Sequence, residues 1–431
     1  MGDSRLFTSA RLYYSDSFLR TFTGEVTNVR ELPGGNGKPA WQLSLDRTAF
    51  YPTSGGQPFD TGMLRTTSPS GDAREISVRQ VEEDEKEAVW HSVPEPLAEG
   101  TRVEGHIDWD RRFDHMQQHT GQHLLSAVFN RELQAPTVSF HLGEHASTID
   151  LGCGLPAHHS LERVERVANE LIAEDLLVTT LNVLRGEADA MLAAGELRKL
   201  PDRHGTIRLI DIADYDRNAC GGTHVRSTGQ IGALLLRGVE KVSRGVRIEF
   251  VCGLRAVRSA RTDASILTKT SALLSTGPAD LADTVGRLLS DAKSSTRERQ
   301  KLREELAVLQ GAALAREAAV ENGLRLAVRE WKDRDREYVR LLASRTVSAA
   351  PSTAVIFCAK DSDPVRIFLA RSSDLGFNCG QIMREALSRL GLRGGGSADL
   401  AQGDVPAEQQ SMLVASVKEA IHSAVAHVDR R

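Results

Sequence analysis

Cysteine is sparse in this chain of 431 residues: five, at positions 153, 220, 252, 358 and 379, an odd number with no CxxC pair among them. That excludes a disulfide scaffold. With no secretory-type apolar segment at the start, the chain is expected in the reduced cytoplasm, where a cysteine is a ligand or a core residue. Long apolar runs are missing too: none approaches the ~18 residues of a membrane span, so no membrane partner is expected. Basic charge is not in excess either. A net charge of -4 excludes a globally basic nucleic-acid binder but leaves room for a local basic face. The remaining balance, 40% apolar and 26% charged, is that of an ordinary soluble protein. The length suggests roughly two to four domains.

The first hundred residues hold short β-prone runs. Residues 24–29, 41–45, 76–81 and 88–91 read as strands, with turn chemistry at Pro33-Gly34-Gly35-Asn36-Gly37 and Ser68-Pro69-Ser70-Gly71-Asp72, the pattern of a small barrel or sandwich. Within it stands Ser54-Gly55-Gly56-Gln57, where two glycines permit close backbone approach to a partner and Gln57 then presents an amide. A plain glycine turn between strands explains the same residues.

From about residue 101 the chain changes character. A helix is expected over 111–129, with Met116, Thr120, Leu124, Ala127 and Val128 at core-facing spacing. His119 and His123 lie at i and i+4, one turn apart on one side, so both imidazoles can reach one ion. Alone, such a pair is often coincidence. His115, one turn earlier, has no partner motif and reads as structural. A second piece, Cys220-Gly221-Gly222-Thr223-His224, places two further ligands around a glycine pair that lets the loop fold tightly. Together, His119, His123, Cys220 and His224 are a tetrahedral zinc set. Cys153, Cys252, His158 and His159 lack paired spacing and read as core or surface residues. Four protein ligands are the closed shell of structural zinc, whereas catalytic zinc keeps a position open, so both roles stay open.

Strands are expected around this set at 206–212, 231–236 and 244–251, and a helix at 161–175, which makes the region α+β. Charge is uneven here. Residues 198–261 hold thirteen Lys and Arg against six Asp and Glu, an excess that suits a polyanion such as RNA.

Four segments, 50–58, 118–125, 220–232 and 244–253, closely resemble the stand-alone alanyl-tRNA editing proteins called AlaX, which are similar to the editing part of alanyl-tRNA synthetase. The resemblance runs from about residue 7 to residue 257, with the motifs in the family's order. It implies one Zn2+ per chain on His119, His123, Cys220 and His224. The implied activity is hydrolysis of the ester joining serine, or glycine, wrongly attached to tRNA(Ala). It also implies a substrate-facing glycine-rich motif from Thr48 to Gln57, including Ser54, Gly55 and Gly56, with Thr48 matched to the threonine that recognises the serine hydroxyl. Gln122 stands where the synthetase pattern often has Thr, and it shares with Thr48 the expected catalytic role of positioning water or substrate. Arg244 and Arg247 are the expected tRNA contacts of the basic face.

In the last third, apolar residues from Leu281 to Ala313 recur at helical spacing, and charged helical sequence is expected to continue towards Leu342, giving a long helical hairpin or coiled coil. Intrachain packing and a homodimer explain it equally. Beyond Pro351, strands at 353–358 and 365–370, a helix at 378–390 and Gly394-Gly395-Gly396 resemble the DHHA1-type domain that ends alanyl-tRNA synthetases, which implies tRNA contact, dimerisation or both. The triple glycine alone favours a turn over a phosphate cradle.

The expected architecture is α+β and multidomain: a small N-terminal β-barrel (1–100), a zinc-containing editing domain (101–258), a helical hairpin (259–347) and a DHHA1-like α/β domain (348–431). With no room for an ATP-dependent aminoacylation domain before residue 7, a complete synthetase is not expected. The alternatives are a threonyl-tRNA-type editing hydrolase and a non-catalytic tRNA-binding factor with structural zinc. A metalloprotease would need the Glu that HxxxH lacks here.

Overall fold

The computed structural model describes residues 9–32, 40–67, 73–202, 205–213 and 215–428; the two turns expected at 33–37 and 68–72 lie outside them. The chain forms two compact units, 1–270 and 271–431. Several sheets and eight helices make it α+β and multidomain.

The first unit opens with a seven-stranded antiparallel sheet. Its strands are β1 (Thr21–Leu32), β2 (Ala40–Leu45), β3 (Gly62–Thr67), β4 (Ala73–Val78), β5 (Gln80–Glu83), β6 (Val89–Val93) and β7 (Arg102–Ile107). They run in the order β4-β3-β7-β1-β2-β6-β5. The two edge strands follow one another in sequence across Arg79, so the sheet bends round on itself. The strand expected at 76–81 is thus two, broken where the Arg79 amide bonds to the Ser92 carbonyl. Side-chain alternation fits a one-sided core: Val89, His91 and Val93 point in, beside Phe22, Val26, Leu43, Phe50 and Leu64.

Helix α1 (Trp109–Leu133) comes next. The Asp108 carboxylate accepts from the Arg111 amide to start it, and Gln134 ends it in the left-handed conformation. Almost every side chain between Arg112 and Phe129 is buried, the polar ones included. The reason is what surrounds the helix. Its N-terminal turns meet the first sheet through the fully buried Arg112, which is paired with Asp60 and bonded to the Ser17 carbonyl. Further along, Gly121 lies so close to Cys252 that a Cβ there would be 2.3 Å from the sulfur.

Cys252 belongs to a four-stranded antiparallel sheet of β8 (Thr137–Leu142), β9 (Ser147–Leu151), β13 (Leu234–Val242) and β14 (Gly245–Cys252), in the order β8-β9-β14-β13. Helix α2 (His158–Ala173) buries Val164, Ala168, Leu171 and Ile172 in the same core as Leu124, Leu125 and Phe129. Burying each large apolar side chain there is worth roughly 1.5–3 kcal/mol. A third sheet, β10 (Val178–Leu184), β11 (Thr206–Ile212) and β12 (Asp216–Ala219), carries α3 (Arg185–Ala193) between its first two strands and ends directly at Cys220. Helix α4 (Gly253–Leu273) follows β14.

In the second unit, α5 (Leu281–Glu317) is the long helix expected from its leucines. The helical sequence does not then continue to Leu342. Residues 319–331 form β15 (Ala319–Glu321) and β16 (Leu324–Trp331), joined through Asn322 and Gly323 with φ of 49° and 78°. Asn-Gly between two short β-prone runs is the tight-hairpin signal, and it outweighs the charged helical composition on either side. Helix α6 (Arg336–Ala349) packs on α5 and on β17 (Thr353–Ala359). With β18 (Val365–Arg371), α7 (Cys379–Ser388), β19 (Gly394–Gly396), β20 (Leu400–Val405) and α8 (Gln410–Val428), the six-stranded sheet runs β15-β16-β17-β18-β20-β19. Only β16 and β17 pair in parallel. This sheet therefore draws in residues 319–331 from the stretch expected to be helical hairpin.

Candidate metal centre and its surroundings

Helix α1 and the loop after β12 bring four side chains together. One ligand atom from each of His119, His123, Cys220 and His224 lies within 4.8 Å of every other, the only such group of at least three among the described residues. The Cys220 sulfur is 3.4 Å from His119 Nε2 and 3.3 Å from His224 Nε2. Tetrahedral zinc with ordinary bond lengths separates its sulfur and nitrogen ligands by about 3.5 Å, so the set fits that ion.

The ring atoms facing away from the centre are also held. Gln57 Oε1 lies 2.8 Å from His119 Nδ1 and accepts from the Thr223 amide at 3.0 Å, while Gln57 Nε2 donates to Thr223 Oγ1 at 2.8 Å. A backbone amide can only donate, which fixes the orientation of the Gln57 side chain. His119 Nδ1 must then carry the proton, and its Nε2 lone pair faces the cluster, as a metal-binding imidazole requires. His224 Nδ1 lies 3.1 Å from Thr120 Oγ1, which also accepts from the Val225 amide. His123 Nδ1 is 3.8 Å from the Asp216 carboxylate.

The charges are coupled accordingly. Burial would raise the Cys220 thiol, but the His119 and His224 imidazoles bring it well below its usual value. Burial depresses His224 to about 3. Burial opposes the charge on His123 as well, yet Asp216 and Cys220 raise it to about 9. A cation binding here would replace that ion pair and release the imidazole proton.

The glycines of the second piece have separate tasks. A Cβ on Gly222 would sit 2.2 Å from the His119 ring, so only glycine fits beneath it. Arg208, which the sequence reading did not single out, clamps the loop from behind, donating to the Cys220 and Gly222 carbonyls at 2.7 and 3.0 Å. Strand spacing alone gave no sign of it.

The Ser54-Gly55-Gly56-Gln57 segment is a tight turn closed by Ser54 and Gln57, with φ of 54° and 80° at the glycines. It also makes the close approach that glycine permits, and the partner is the chain itself. Gly56 lies against the Phe140 ring and accepts from the Leu142 amide at 3.2 Å. Phe140 in turn has its ring 5.7 Å from that of His119. Gln57 is fully buried, and its amide is spent on His119 and Thr223.

Other expected site residues lie elsewhere. Thr48 is buried in the first sheet's core, its hydroxyl 2.8 Å from His91 Nε2 and accepting from the Phe50 amide at 3.1 Å. Burial lowers His91 to about 4, against the opposing bond to the Leu43 carbonyl. Gln122 is buried on α1 one turn from His119; its Nε2 donates to Ser126 Oγ at 2.9 Å, and its Oε1 has no partner. His115 is buried too. Burial and the nearby Arg111, Arg255 and Arg112 push it down to about 3.

Arg244 is exposed at the β13–β14 turn, whereas Arg247 is paired with Asp150 at 2.7 Å. Cys153 is half-buried, Cys252 is fully buried under Gly121, and His158 and His159 start α2 at the surface. In the second unit, Gly394, Gly395 and Gly396 form edge strand β19 rather than a turn. A Cβ on Gly394 would lie 2.3 Å from Leu387, and one on Gly380 would lie 2.3 Å from the Gly396 carbonyl, so the glycines let α7 press onto the strand. The Cys379 and Gly380 amides at the start of α7 bond to the Ala398 and Ser397 carbonyls.

Three family descriptions match the chain in order: tRNA synthetases class II (A) over residues 10–111, the threonyl and alanyl tRNA synthetase second additional domain over 207–249, and the DHHA1 domain over 323–423. An alanine--tRNA ligase from Pyrococcus furiosus is 37% identical over 69% of this chain and 32% of its own length. One from Pyrococcus abyssi is 33% identical over 96% of this chain and 43% of its own. The chain thus spans less than half the length of these ligases. The alanyl-tRNA editing protein AlaX-L of Pyrococcus horikoshii is 28% identical over 94% of this chain and 96% of its own length. On these matches the chain belongs with the long-form alanyl-tRNA editing proteins, and it shares its second additional and DHHA1 domains with the alanyl-tRNA synthetases.

Proposed function

We propose that this protein is a zinc-dependent hydrolase that deacylates Ser-tRNA(Ala), with Gly-tRNA(Ala) as a second substrate. It would act in trans, in the cytoplasm. The observation that carries the reading is the convergence of His119, His123, Cys220 and His224 beneath the glycine turn at 54–57. The end-to-end relationship to an alanyl-tRNA editing protein supports it.

Bound zinc would supply Lewis-acid polarisation of the ester. The rest is the work of this chain's side chains. Gln57 and Thr120 hold two of the three ligand imidazoles in place. The turn at Gly55 and Gly56 and the Phe140 ring wall the space beside His119. Because an aminoacyl ester is already activated, selectivity against the cognate alanyl ester is the harder task. A site that hydrogen-bonds a serine hydroxyl can reject the analogue that lacks one.

The same reading assigns residues 1–100 as a small barrel bearing the selectivity wall and 101–258 as the editing domain. The helical stretch from 259 and the DHHA1-like region serve as tRNA grip and homodimer contact. A second reading, a tRNA-binding factor with structural zinc, is favoured by one observation: all four ligands of a closed shell come from the protein.

The deciding assay is release of labelled serine from Ser-tRNA(Ala), run beside Ala-tRNA(Ala) and Ser-tRNA(Thr), with the wild type and Cys220→Ala. The expected result is rapid loss of the first ester only, abolished together with zinc content in the variant. Zinc-loaded protein that binds tRNA and leaves all three esters intact would establish the non-catalytic reading.

A further inference from the structure

The geometry points to Gln122, Ser126 and Thr137 as the group that reads the substrate's side-chain hydroxyl, in place of Thr48. The inference rests on the editing reading above and concerns how that site tells serine from alanine.

Strand β8 lies over one stripe of α1. Phe140 on the strand meets His119, and three residues earlier Thr137 Oγ1 donates to Ser126 Oγ at 2.7 Å. Gln122 sits on the helix between those two contacts, one turn from His119 and next to His123. Its amide donates to the same Ser126 hydroxyl, and its other polar atom, Oε1, is buried without a partner in a side chain only 5% exposed. Rotating the amide by half a turn would leave Nε2 unpaired instead, so one polar atom stays unsatisfied in either orientation. Such an atom costs about 1–3 kcal/mol. A serine hydroxyl both donates and accepts, so it could satisfy whichever atom is presented. The methyl of alanine and the hydrogen of glycine can satisfy neither.

Thr48 has no comparable spare capacity. Its hydroxyl is shared between His91 and the Phe50 amide inside the first sheet's core. The glycine turn completes the enclosure on the other side, since Gly56 presses on Phe140 and bonds to Leu142. The resulting recess has an apolar ring at its mouth and three polar side chains along its floor. It suits a small side chain ending in one hydroxyl.

The test uses the zinc-loaded full chain and three non-hydrolysable probes, the 3′-amide analogues of seryl-, alanyl- and glycyl-adenosine, titrated by calorimetry. The wild type is expected to prefer the seryl amide by at least about tenfold. In Gln122→Met the preference should collapse to within about threefold, and in Thr137→Val and Ser126→Ala it should fall part of the way. Zinc content and melting temperature are measured for each protein. If Gln122→Met fails to fold or load zinc, Thr137→Val and Ser126→Ala carry the test. A preference that survives the removal of these groups but disappears in Thr48→Val overturns the inference, as does wild-type binding of all three probes without preference. Failure of the wild type to bind any probe removes the editing reading itself, and the inference with it.

Discussion

Helices α1 and α5 invert the usual relation between composition and burial. Helix α1 is crowded with histidine, glutamine, arginine and threonine, yet it is buried on nearly every side. Helix α5 carries a leucine repeat, yet Leu288, Leu289, Leu302, Leu306 and Leu309 are all exposed. The difference lies in what each helix is given to face. The first sheet, β8, β14 and the Cys220 loop all reach α1, each answering one of its polar groups: Asp60 for Arg112, the Cys252 backbone for Gln118, Gln57 for His119 and Val225 for Thr120. Helix α5 packs through Ala307, Gly311 and Ala315 and leaves its larger side chains outward. A polar residue in the interior is tolerable where its partner is specified. The polar face of α1 therefore marks a built site, whereas the apolar face of α5 marks only spare surface.

The sharpest way to break that comparison is to remove one of the partners that α1 depends on. Asp60→Ala would leave Arg112 charged and fully buried beside carbonyls alone. The expected cost is about 3–5 kcal/mol, measured by chemical denaturation. A change below about 1 kcal/mol would mean that water or a carbonyl replaces Asp60, and that the pair matters little. The next effect is smaller and local. Gln57→Ala frees the proton-bearing nitrogen of His119, so zinc affinity should fall by about 10–100-fold in a competition with a chelator. An unchanged affinity would show that Gln57 serves substrate alone.

What was legible in the sequence follows the same division. The ligand set could be read because each half is local: a helical i, i+4 pair and a five-residue loop. Most strands could be read because alternation is also local. The turn at Asn322-Gly323 was legible too, but the charged sequence around it was read as helix, and β15 and β16 were missed. The tasks of Gln57, Thr48 and Arg208 were not legible, because each depends on a partner far away in sequence. Thr223 lies 166 residues from Gln57, and His91 lies 43 from Thr48. The triple glycine was ambiguous for a related reason. A glycine serves a turn and a close helix–strand contact equally well, and only Leu387 and Gly380 opposite it decide which.

The smallest expected effect tests the other half of the comparison. Leu289 is 69% exposed on α5, so Leu289→Ala removes little buried area, and alanine is itself a strong helix former. In dilute solution the variant should unfold within about 0.5 kcal/mol of the wild type. If a second copy covers this face, the same substitution must lower the melting temperature more at high protein concentration than at low, because association stabilises by mass action. Melting both proteins at two concentrations a hundredfold apart separates the cases. A concentration-independent loss above about 2 kcal/mol would contradict the exposure of Leu289, and with it the claim that α1 and α5 differ in what surrounds them.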